Sequence, residues 1–175
     1  MKHSQLCELW ASQEDRFAEW RDALPKPCFL LRDAFVAEVE SPSEPWVHPV
    51  SGEKHPYVSL LYLHPQTIPM KGTPPPDSIT ERGELMFGLA ITLDRDNGAF
   101  PKESMYLNLA VRFSSGQAQF TFFSSEREEA EVPPGWVSDV GKFVGLAVDR
   151  IRGYLDFDPF DGAREKTGIG FLSCE

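Results

Sequence analysis

Cysteine is scarce: Cys7, Cys28 and Cys174 are the only three in 175 residues. An odd, widely spaced set excludes a disulfide framework and a thiolate metal knot. Positive charge is short as well, with 17 Lys and Arg against 27 Asp and Glu and a net charge of -10. A field of that sign repels phosphate backbones, so nucleic acid is a poor partner and a basic protein surface a better one. No apolar run approaches the roughly 18 residues that span a bilayer. The opening "MKHSQLCELW" passes into charged sequence without a signal-type apolar stretch. A reduced cytoplasmic protein without a membrane partner is therefore expected. GxSxG, HExxH, GxxxxGK[ST] and a complete GxGxxG are all missing. Nothing calls for a cofactor, and non-catalytic function leads, although scattered active-site residues leave no local signature.

What is present is core material. The chain is 41% hydrophobic, with 13 Phe and four Trp, and reads as one globular domain over 1–175. Residues 5–24 place Leu6, Leu9, Trp10, Phe17, Trp20 and Leu24 on one helical stripe, with Ser4 as N-cap and Pro25 and Pro27 as stops. "CFLLRDAFVAEVE" (28–40) reads as a strand or two short strands, and "PYVSLLYL" (56–63) as another.

In "ELMFGLAITLD" the positions Leu85, Phe87, Leu89, Ile91 and Leu93 are large, while Gly88, Ala90 and Thr92 between them are small. "SMYLNLAVRF" and "GQAQFTFFS" alternate in the same way. Period two over three successive runs means a meander of half-buried antiparallel strands. A break at "PPG" (133–135) precedes a helix from about 138, with Ser138 as N-cap, and "GIGFL" adds a short strand. The expected fold is α+β. An antiparallel sheet of four to six strands carries N-terminal and C-terminal helices packed on one face, as a two-layer sandwich. Its other face is expected to present Tyr106, Asn108, Arg112, Gln117, Gln119 and Thr121.

Three of the four histidines precede proline: His48, His55 and His64. If 56–63 is a strand, His55 and His64 stand roughly 30 Å apart and share no ion. A turn at Ser51-Gly52 does allow His48 and His55 to approach each other, as polar groups of a pocket. Proline pushes the preceding residue toward extended backbone, so loop punctuation explains all three. Asp156, Asp158 and Asp161 miss a calcium loop, because Phe160 and Thr167 stand where ligands belong. No metal site is expected.

The proline-rich stretches 41–56 and 64–84 are long for connections, and such loops often carry function. The leading expectation is an accessory, inhibitor or immunity-type protein that binds another protein. Its contacts would be Trp46, Met70 and Lys71 from those loops and the acidic Glu126, Glu128 and Glu129. An enzyme or small-ligand binder with a pocket under 41–84, using His48 and His55, is the alternative. Single-stranded nucleic acid on the open sheet face, at Tyr106, Asn108 and Arg112, is a third.

Overall fold

A computed structural model describes residues 2–63, 68–94, 102–123, 132–156 and 169–172. The first helix, α1 (His3–Ala23), covers the expected stripe but begins earlier. Its N-cap is Lys2, whose backbone N–H donates to Gln5 Oε1 at 2.9 Å, so Ser4 lies inside the helix. Pro25 and Pro27 do not stop helical structure. Only Leu24, itself in αR geometry, separates α1 from α2 (Pro25–Glu38). Pro25 occupies the first helical position, where its missing N–H costs nothing and its fixed φ suits the helix.

The expected strand over 28–40 is therefore corrected to a helix. Leu24, Cys28, Leu31 and Phe35 are spaced four, three and four apart, and all four are buried. That spacing is one helical face; the density of apolar residues hid the period. The helix ends in a Schellman motif. Glu40 N–H donates to Ala37 O and Ser41 N–H to Val36 O, with Glu40 left-handed at φ 48°.

The meander follows as expected: β3 (Val58–Tyr62), β5 (Leu85–Leu93), β6 (Glu103–Ser114) and β7 (Gln117–Phe122) pair antiparallel. Two-residue β4 (Ile68–Pro69) adds to β3. β8 (Val132–Val137) adds to β7, and β9 (Ile169–Leu172) pairs with the first half of β6. Among the described residues these form a seven-stranded sheet. The "PPG" break lies within β8 and not in a loop. It is an edge strand with irregular register, where proline forfeits no ladder bond. A separate hairpin joins β1 (Trp46–Val47) to β2 (Lys54–His55).

One sheet face carries Val58, Leu60, Tyr62, Phe87, Leu89, Leu107, Leu109, Phe120 and Phe122, in register across β3, β5, β6 and β7. These side chains form one core with α2 and with Phe143, Val144, Ala147 and Ile151 of α3 (Val140–Leu155). Phe143 stacks on Phe122 at 4.9 Å between ring centroids. The cap of α3 is Asp139, which accepts from Lys142 N–H at 2.8 Å, in place of Ser138. The helix that joins α3 in this layer is α2. The N-terminal α1 has no buried residue, which corrects the expected packing of the N-terminal helix.

Candidate functional site

The hairpin of β1 and β2 brings His48 and His55 onto one indole. His55 lies opposite Trp46 in register and stacks on it at 4.6 Å, and the His48 ring centroid is 6.4 Å away. Gly52, at φ +71°, closes the turn, and His48 Nδ1 accepts from Ser51 N–H at 3.1 Å. His48 is thus a structural part of the corner that it was expected to mark.

Beneath the indole lies a group that the sequence reading missed. Lys102, buried, and Asp94, half-buried, continue the β5–β6 register by one step and form an ion pair. Tyr57 O–H donates to Asp94 Oδ2 at 3.0 Å. The Lys102 ammonium sits 5.3 Å from the Tyr57 ring centroid and 5.9 Å from that of Trp46, both within cation–π range. Extending the alternation one residue past each strand end would have found the pair.

This cluster has the wrong chemistry for a nucleophile. Burial by itself lowers the Lys102 pKa, but its bonds to Asp94 and Tyr57 and the Asp94 charge outweigh burial and raise it. The amine stays protonated. Burial likewise pushes the Cys28 thiol up, far from the thiolate that reacts. No group of three His, Cys, Asp or Glu among the described residues is arranged to hold a metal ion. The Trp46 Nε1–H is buried without an acceptor among the described residues.

The expected contact residues separate. Trp46 and Met70 are buried, and Met70 belongs to the main core. Lys71 is exposed. The arm beyond it is tied down, since Tyr62 O–H donates to Gly72 O at 3.1 Å and Thr73 Oγ1 to Asp22 at 3.1 Å. Glu126, Glu128 and Glu129 lie outside the described residues, as do His64, Asp158 and Asp161.

Tyr106, Asn108, Arg112, Gln117, Gln119 and Thr121 do share the second sheet face. That face is only partly open: Thr121 and Ala110 are buried, and Tyr106, Asn108, Arg112 and Gln119 half-buried. Arg112 stacks 4.0 Å over Trp136, donates to Gln119 Oε1 and faces Glu84 at 4.0 Å. Its charge is already matched.

The conspicuous surface is α1. Leu6, Leu9, Trp10 and Phe17 are 52%, 55%, 63% and 52% exposed. With Gln13, Trp20 and Leu24 they fall within a wedge of about 100° on the helix. Leu24 is fully buried in the core, and Trp20 packs against its edge. A single stripe therefore has two fates, covered at its C-terminal end and bare over the rest. No helix among the described residues is long and apolar enough to cross a membrane. Comparison with protein-family models, curated proteins and solved structures finds no match for this chain.

Proposed function

We propose that the protein is a non-catalytic, protein-binding component with a regulatory role. On this reading α1 lays its bare stripe into an apolar groove of the partner. The observation that carries the proposal is a 21-residue helix with no buried side chain and four large apolar ones more than half exposed. Contiguous apolar exposure of that kind marks interaction sites, and an amphipathic helix in a groove is a recurrent mode of recognition.

Glu8, Asp15 and Glu19 stand on the face of α1 away from the stripe, with Glu14 to its side, and the chain as a whole is at -10. A groove with a basic rim fits that charge. The cytoplasmic setting belongs to the same proposal; the unpaired thiols of Cys7 and Cys28 support it. Trp46 and Met70, first expected as contacts, serve packing on this reading, because both are buried.

Affinity capture from native lysate with wild-type bait and a Trp10→Ser/Phe17→Ser bait tests the proposal. One stoichiometric protein retained by the first and lost by the second is the expected result. Equal retention by both baits would show that α1 is not the contact.

A further inference from the structure

We propose a ligand site under the segment Ser41–Pro42, for a small single-chain amphiphile with an anionic headgroup. The Schellman motif at Glu40 turns the chain off the end of α2 and lays Ser41 and Pro42 across the gap toward β3. A cavity opens on each side, and the two share Ser41, Pro42, Tyr57 and Val58 as walls.

The first cavity, of about 210 Å³, is lined by Phe35, Val39, Ile91, Leu93, Val148 and Ile151. Such walls offer an alkyl chain dispersion contacts and offer water few partners. The second, of about 360 Å³, is lined by Phe29, Arg32, Val36, Leu60 and Met70 among others. Arg32 is the one charged residue lining either cavity among the described residues. In a chain with ten more acidic than basic side chains, that choice of sign selects an anion. Arg32 also pairs with its neighbour Asp33 at 2.6 Å, with side chains 34% and 62% exposed. An exposed pair of this sort holds weakly, so a carboxylate entering from the cavity can share the guanidinium. His48 and His55 line neither cavity, so the ligand is selected by an apolar slot and one cation. This site is separate from α1, and either proposal can fail alone.

Titration calorimetry with octanoate, 1-octanol and octylammonium, all below micellar concentrations, tests the site. Octanoate binds the wild type, and Arg32→Gln weakens it about tenfold or more, the range for a hydrogen bond to a charged group. Arg32→Gln leaves 1-octanol unchanged. Val148→Phe, which fills the apolar cavity, weakens both. Val39→Trp at the exposed rim does the same should Val148→Phe fail to fold. Absence of octanoate binding, octylammonium binding as tight as octanoate, or Arg32→Gln without effect on octanoate would each overturn the proposal.

Discussion

Single residues decide several local conformations. Glu40 takes the left-handed position that closes α2, a backbone state costing a non-glycine residue roughly 1–2 kcal/mol. Its carboxylate also lies at the negative end of the helix dipole. Glu40→Gly is expected to stabilise the fold by about 1 kcal/mol, read as a rise in the urea midpoint at constant slope. Gly83 behaves oppositely. It has φ +76°, and an added Cβ would stand 3.2 Å from Trp20 Cζ2. Gly83→Ala should cost about 1–2 kcal/mol and loosen the anchored end of α1. Lys102 brings a pH dependence. Its pKa is raised on folding, so its contribution is complete below the unfolded value near 10.4. Stability is lost as pH climbs through the still higher folded value. Alkaline unfolding followed by circular dichroism should show that loss in the wild type, and Lys102→Met should lack it. Lys102→Met should itself cost about 3 kcal/mol near neutral pH, because the Asp94 carboxylate, 19% exposed, loses its ammonium counter-charge.

At the scale of elements, α1 and α2 give opposite responses to the same type of substitution. Phe35→Ala in α2 removes a fully buried ring and should cost about 3–5 kcal/mol. Trp10→Ala in α1 removes a larger side chain that is 63% exposed and should change thermal stability by less than about 0.5 kcal/mol. A substantial loss on Trp10→Ala would mean that α1 already packs on something in the purified protein. The strands were legible because alternation in 85–93, 103–114 and 117–122 is a local signal with one interpretation. Residues 28–40 were not, since Phe29, Leu30, Leu31, Phe35 and Val36 fill two faces of a helix that is covered on one. Their density imitates a buried strand until the Leu24-Cys28-Leu31-Phe35 spacing is weighed against it. Proline misled for a related reason: it forbids helix interiors and starts helices, and Pro25 does the second.

For the whole molecule, a net charge of -10 makes the proposed partner contact sensitive to salt. Retention on wild-type bait should fall several-fold between about 0.05 and 0.5 M salt if a basic rim is engaged. An apolar contact alone would hold. The sequence by itself determined the α+β class, the antiparallel meander and its register of large and small residues, and the stripe on α1. Each of these follows from periodicity, which lives within a dozen neighbouring residues. Only the tertiary structure decided which apolar residues are covered. It buried Trp46 and Met70 and left Trp10 and Phe17 bare, although all four look alike in sequence. It also set Lys102 beside Asp94 and hung Ser41–Pro42 over two cavities. Burial is a property of what arrives from elsewhere in the chain, and no local pattern encodes an arrival.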